Sequence, residues 1–296
     1  MIESLNARTG QPLDNDQLRC LAPSIFAEEP AGNMTARYQF MPTYKVVEGL
    51  RANGFMPYSA RQSSTRIGDV MGVRHEVRFR HVDTIEHLKR THTPGVHNFL
   101  NDEVWDELAL VNSHDGSSTF EMFQAAFRLA CSNGLIVSAG TAGDRLSVRH
   151  TGNIVDNVIE GATRILADTD LVREARDSMR GVVLDQDERQ AFAQAALTLR
   201  YGDLVPITPA AILAPRRAGD KDPTLWNVFN VVQENMVKGG VRGHTVNTGR
   251  RMTTRGITGI TQDIAVNRML WNLAQAARNM ANTLDLTAGL ELVEQA

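Results

Sequence analysis

The residues that could do chemistry fall into four groups. Ser113-His114-Asp115 holds the residue types of a hydrolase triad as sequence neighbours. Such triads are assembled from separated segments, so adjacency defeats their usual geometry, and no G-x-S-x-G elbow accompanies it. His-Asp-Gly followed by Ser117 and Ser118 is good turn-and-cap chemistry, and a helix starting there could hold a phosphate on its amides. Five histidines, His75, His81, His87, His92 and His97, form a second group. A five-residue step turns through ~500° on a helix, so His87, His92 and His97 share no face, and no metal site is expected. The acids Asp102, Glu103, Asp106 and Glu107 form a third group, best read as a solvated face.

The fourth group is basic. Lys238, Arg242, Arg250, Arg251 and Arg255 occupy a glycine-rich stretch without one acid, among the donors Thr245, Asn247, Thr248, Thr253 and Thr254. Phosphate contacts need cations with few competing acids and a backbone that lets amides approach. Arg74, Arg78 and Arg80 recur at period two in GVRHEVRFRHV (72–82) and offer a second patch. Tyr58, Phe79 and Trp226 are the aromatics nearest these patches that could stack on bases.

No G-x-x-x-x-G-K-[ST] and no strand-to-helix G-x-G-x-x-G occurs, which argues against ATP-driven activity, and no cofactor is expected. The chain has 296 residues, 42% hydrophobic and 22% charged, with net charge −3. That is a foldable composition of one large or two modest domains, too acidic to coat nucleic acid over its whole surface. Two cysteines, Cys20 and Cys131, make neither a disulfide framework nor a zinc signature. No apolar run approaches ~18 residues and the start lacks a signal-peptide pattern, so the expectation is cytosolic, with no membrane contact.

The elements that must position these groups read as α+β. TYKVVEGLRAN (43–53) predicts a helix stopped by Gly54. Residues 56–66, carrying Arg61 and Arg66, predict a strand. Alternation over 72–82 predicts another, with Val77 and Phe79 inward and the arginines outward. Glu107–Asn112 predicts a third. Ser118 and Glu121 have capping-box spacing, and Phe120, Phe123, Phe127 and Cys131 then form the stripe of an amphipathic helix ending at Asn133-Gly134. Short strands follow over Leu135–Ala139 and Arg145–His150. Beyond residue 152 the pattern turns helical: 154–180, a helix capped by Asp185 and Glu188 and stopped at Tyr201-Gly202, another from Asp222-Pro223 to about Lys238, and a last long one over Asp263–Ala281. The expected organisation is a small antiparallel sheet with a packed helix in a core over 40–152, an N-terminal arm over 1–39, and a helical region over 153–296 carrying the basic loop 238–259.

Ser113, His114, Asp115, Gly116, Ser117, then Arg128, Cys131, Asn133, Leu135, then Arg149, His150 and Thr151 form a series that resembles the phage/plasmid-like family catalogued as domain of unknown function 932. Thr224, Trp226, Asn227, Phe229 and Asn230 look like a later segment of the same family, so the likeness covers roughly 40–280. The resemblance implies a mobile-element setting and draws Arg149 and His150 beside His114, Asp115 and Ser117, as a phosphate-binding or structural motif. The order of short strands then a helix is similar to the core of Rad52-like single-strand annealing proteins, a fold-level analogy. That likeness implies an ATP-independent protein that binds, and anneals, single-stranded DNA as a homo-oligomer. In this reading Arg74, Arg78, Arg80, Lys238, Arg242, Arg250, Arg251 and Arg255 neutralise phosphates and no residue is catalytic. The alternatives are a protein that contacts a host factor through its acidic ends, and an enzyme built around His114, Asp115 and His150.

Overall fold

The computed structural model describes residues 11–32, 34, 38, 40–65, 69–91, 104–128, 133–137, 145–148 and 154–294. The chain forms two compact units, Met1–Asp170 and Leu171–Ala296.

In the first unit, helix α1 (Asn15–Leu21) starts at Asp14, which accepts from the Gln17 amide while Gln17 accepts from the Asp14 N–H. This reciprocal cap satisfies two amides a helix start leaves open. A 3-10 turn over Pro23–Phe26 leads on to helix α2 (Thr43–Ala52). Helix α2 buries Val46, Val47 and Leu50, and the chain turns at Gly54 with φ 84°, as the glycine stop predicts. Strands β1 (Phe55–Gln62) and β2 (His75–His81) follow, then helix α3 (Val82–Thr91), then β3 (Val104–Asn112) and β4 (Phe120–Arg128). These four strands pair antiparallel in chain order, and β5 (Asn133–Ile136) and β6 (Arg145–Val148) both pair with β4.

One face of the sheet, with Val77, Phe79, Leu108, Leu110, Phe120 and Met122, packs under α2 and helix α4 (Ile154–Ala167). Val158, Ala162 and Ile165 of α4 enter this core, so the unit continues past residue 152. Leu13, Leu18 and Ile25 enter it too, which ties the expected N-terminal arm to the sheet.

The helix expected after Ser118 is instead strand β4. Its register with β3, Ala109 opposite Phe123 and Leu110 opposite Met122, sends alternate residues to opposite faces. Both faces are buried, so FEMFQAAFR lacks the alternation of a half-exposed strand. Ser118 is no cap: its N–H donates to Ser113 Oγ, and Glu121 accepts from the Thr119 hydroxyl.

The helix α5 (Thr169–Gly181) begins at the division and leads into the second unit. Helix α6 (Gln186–Tyr201) carries the predicted capping box of Asp185 and Glu188 and stops at Gly202, φ 61°. A short helix α7 (Pro209–Ile212) precedes α8 (Leu225–Lys238). The cap of α8 is Thr224, whose hydroxyl accepts from the Asn227 amide, two residues beyond the expected Asp222. A hairpin of β7 (Arg242–His244) and β8 (Arg251–Thr253) then leads into α9 (Ile260–Glu294). Trp226, Phe229 and Trp271 form the centre of this core, the Phe229 ring lying 5.7 Å from Trp226 and 5.9 Å from Trp271. The architecture is α+β, with an antiparallel sheet first and a largely helical second half. No helix among the described residues is long and apolar enough to cross a membrane.

Candidate nucleic-acid interface

The strand predicted over 72–82 forms, and Val77 and Phe79 face the core, but its charged side is not solvent-exposed. Arg78 is 6% exposed, Arg80 1% and Glu76 1%. Opposite charges alternate across the sheet and make that burial tolerable. Arg61 pairs with Glu76, Glu76 with Arg78 at 3.0 Å, Arg78 with Glu107 at 3.5 Å, and Glu107 with Arg80 at 2.8 Å. Burial pushes the Glu76 carboxyl up, but Arg78 and Arg61 outweigh it and hold the group below its ordinary value. The rings of Tyr58, Trp105 and Phe127 stand 4.6, 4.8 and 5.3 Å from the Arg80 guanidinium carbon and offer it their electron-rich faces. The Arg74 guanidinium donates to the Ser117 carbonyl.

The arginine patch expected on β2 is therefore corrected: Arg78 and Arg80 form part of a buried ion chain, and Arg74 is spent on a turn. Asp106 and Glu107, expected on a solvated face, are buried as well. So are Tyr58, Phe79 and Trp226, which removes them as stacking platforms.

Ser113, His114, Asp115 and Ser117 do form a turn. Asp115 accepts from the Ser117 amide at 2.8 Å. Burial pushes the Asp115 carboxyl up, but hydrogen bonds from Ser117 and Ser113 outweigh it and hold the group below the usual carboxylate range. His114 is fully buried, its Nε2 3.5 Å from Thr43 Oγ1 and its ring 5.1 Å from that of His75. His75 in turn lies 3.0 Å from Ser24 Oγ and 2.9 Å from Thr43 Oγ1. Backbone bonds from Ala31 to His114 and from His114 to Gly72 close the arrangement. No helix begins here, so the helix start that could have offered its amides to a phosphate is absent, and these side chains tie three segments together. Arg66, His92, His97, Asp102, Glu103, Cys131, Arg149 and His150 lie outside the described residues, as does the His87 side chain. No three His, Cys, Asp or Glu side chains converge as metal ligands among the described residues.

The basic stretch after α8 takes a different form. It is a β-hairpin with Arg242, Arg250, Arg251 and Arg255 all exposed. Lys238 differs from them, because its ammonium pairs with Glu234 at 2.9 Å, beside the Arg217–Glu234 pair. The hairpin is anchored at its base: Gly240 donates to the Thr254 carbonyl at 2.8 Å and Val241 to Thr254 Oγ1 at 3.0 Å. Thr245 closes its turn, accepting from the Arg250 amide at 3.1 Å while its own N–H donates to the Arg250 carbonyl. Gly243 abuts the Pro206 carbonyl with no room for a β-carbon, so the ribbon lies directly against 205–208. Beside this contact opens a cleft of about 1190 Å³, lined by Val205, Pro206 and Ile207 and by the hairpin residues Arg242, His244, Val246, Arg251 and Met252. His244 was not singled out in the sequence. Arg-Gly-His and Arg-Met-Thr flanking a Thr-Val-Asn-Thr-Gly turn were the available hairpin signal.

Comparison with known proteins places most of the chain. Residues 30–271 match the family model described as domain of unknown function (DUF932). The chain belongs to this family. It is similar to the UPF0380 protein YafZ of Escherichia coli (strain K12), 36% identical over 270 residues, which span 91% of this chain and 93% of that protein. It is likewise similar to the UPF0380 protein YfjQ of the same strain, 36% identical over 269 residues, 90% of this chain and 92% of that one. No solved structure matches it. Of the residues that carried the resemblance, Ser113 and His114 are buried in the turn at the end of the sheet, and Trp226 centres the helical core.

Proposed function

We propose that this protein binds DNA of a mobile genetic element through the β7–β8 hairpin, with the guanidiniums of Arg242, Arg250, Arg251 and Arg255 on phosphates. The observation that carries the reading is four exposed arginines on and just past one hairpin, with no acidic residue anywhere between Glu234 and Asp263. Guanidiniums that are solvent-exposed and locally uncompensated are the groups that release counterions when a phosphate chain docks. The mobile-element setting rests on the resemblance to phage and plasmid proteins. Annealing by a homo-oligomer belongs to the same reading, since holding strands and screening their repulsion needs no catalytic side chain.

The test is fluorescence anisotropy of a labelled oligonucleotide, single-stranded and duplex, with the full chain across a salt series. Salt-dependent binding is expected. Replacing Arg250 and Arg251 by Ala should weaken it and shallow the log–log salt slope by about one to two units. Unchanged affinity and slope in that double variant would remove the hairpin from the interface.

A further inference from the structure

The cleft beside the hairpin has a chemistry that phosphate binding alone does not use. Arg242 and His244 are two residues apart in β7 and therefore share one face of the ribbon. The register sets His244 directly opposite Arg251, and Arg242 opposite Thr253, on β8. Directly opposed residues have β-carbons ~5 Å apart. An exposed imidazole thus stands between two exposed guanidiniums, and all three line the cleft. The same cleft has an aliphatic lining as well: Val205, Pro206 and Ile207 from the preceding segment, and Val246 and Met252 from the hairpin itself. Val246 is 51% exposed, a large apolar side chain left in solvent at the cleft's edge. A planar ring flanked by two cations, in a cleft that also carries aliphatic side chains, suits a nucleobase stacked on the ring with its neighbouring phosphates on the cations.

From this we infer that the cleft takes an unstacked base of single-stranded DNA against His244, with Arg242 and Arg251 on the adjoining phosphates. The inference rests on the hairpin being the DNA-binding element and adds the base to the phosphates. It gives a preference for single strands a physical origin, because in a duplex both faces of an internal base are already covered by its neighbours.

An abasic strand separates the base from the phosphate chain. Anisotropy titrations of the full-length protein would use a single-stranded oligonucleotide and a fully abasic strand of equal length, at one salt concentration and across a salt series. The natural strand should bind about tenfold more tightly, the scale of one stacked base. His244→Ala should remove most of that difference while leaving abasic-strand affinity and the salt slope in place, and His244→Phe should restore it. Equal binding of the natural and abasic strands by the wild-type protein would overturn the base site and leave the phosphate reading standing. Binding of neither strand at low salt would overturn both.

Discussion

The guanidinium carbon of Arg78 lies 2.5 Å from the point where a β-carbon on Gly134 would stand. Arg78 is on β2 and Gly134 on β5, with β3 and β4 between them. The side chain crosses that distance because the sheet offers small residues along its path. Ala109 is the direct partner of Arg78, and Ala125 lies on the same face of β4. Its Nη1 ends 3.4 Å from the Leu135 carbonyl and 3.5 Å from that of Ala126. Gly134→Ala should displace the guanidinium and destabilise the protein by about 1–3 kcal/mol, the usual cost of overpacking, read as a lower urea midpoint. A neutral Gly134→Ala would show that the arginine does not need this space.

The ion chain across β1, β2 and β3 makes a sharper demand. Glu107 serves Arg80 at 2.8 Å and Arg78 at 3.5 Å, and all three side chains are buried. Removing one partner of a buried pair strands the other charge, at a cost of about 3–5 kcal/mol. Glu107→Ala should therefore approach unfolding in thermal denaturation, while Arg80→Met combined with Glu107→Leu should recover much of the loss. Arg250→Ala, on the exposed hairpin, should change stability by about 0.5 kcal/mol or less. Equal effects at Glu107 and Arg250 would contradict the burial of the chain.

These residues also show what the sequence does and does not carry. The alternation at 72–82 identifies a strand because Val77 and Phe79 recur at period two, but alternation reports only that two faces differ, not that one meets water. The partner that neutralises Arg80, Glu107, is 27 positions away in a different strand, so local reading assigned both to solvent. Strand β4 misled in the opposite sense. With Phe120 and Met122 on one face and Phe123 and Phe127 on the other, all buried, its apolar positions fit a helix period as well as a strand. Helix ends were readable where one side chain caps its own turn, as Asp185 does at the start of α6. The basic stretch was legible as charge without acids. Its hairpin has a local signal in the turn residues 245–249, whereas its anchor against Pro206 is in no local pattern.

Buried histidine gives the protein an acid sensitivity of definite sign. Burial, and then the neighbouring His114, push the His75 imidazole down to about 3, with the Val73 carbonyl and Asp115 opposing. The unfolded chain, with His75 near its ordinary 6.5, binds the proton first as pH falls, so stability is full above about 6.5 and declines on the way to about 3. The slope from this one group is at most about 1.4 kcal/mol per pH unit. Urea midpoints at pH 7.5 and 5.0 should fall in that order. The drop should be smaller in His75→Asn, which cannot titrate, measured against its own value at pH 7.5. An equal drop in that variant would assign the sensitivity to other groups.

Lys238 provides the internal control for the DNA interface. It belongs to the same basic stretch as Arg250 and Arg251, but its ammonium is 2.9 Å from the buried Glu234 carboxylate, whereas those arginines are exposed on the ribbon. A cation already balanced by a carboxylate releases little when a phosphate approaches, and a solvated one contributes about one counterion. Lys238→Ala should leave the salt slope for DNA binding unchanged, within the error of the fit. Arg250→Ala and Arg251→Ala should each shallow it by about one unit, and together by about two. Because the arginine sites are exposed, thermal midpoints of those variants should match the wild type, so a changed slope reads out contact with phosphate and not loss of fold. A slope that falls as much with Lys238→Ala as with Arg250→Ala would mean that DNA draws the lysine away from Glu234 and that the interface extends down to the end of α8.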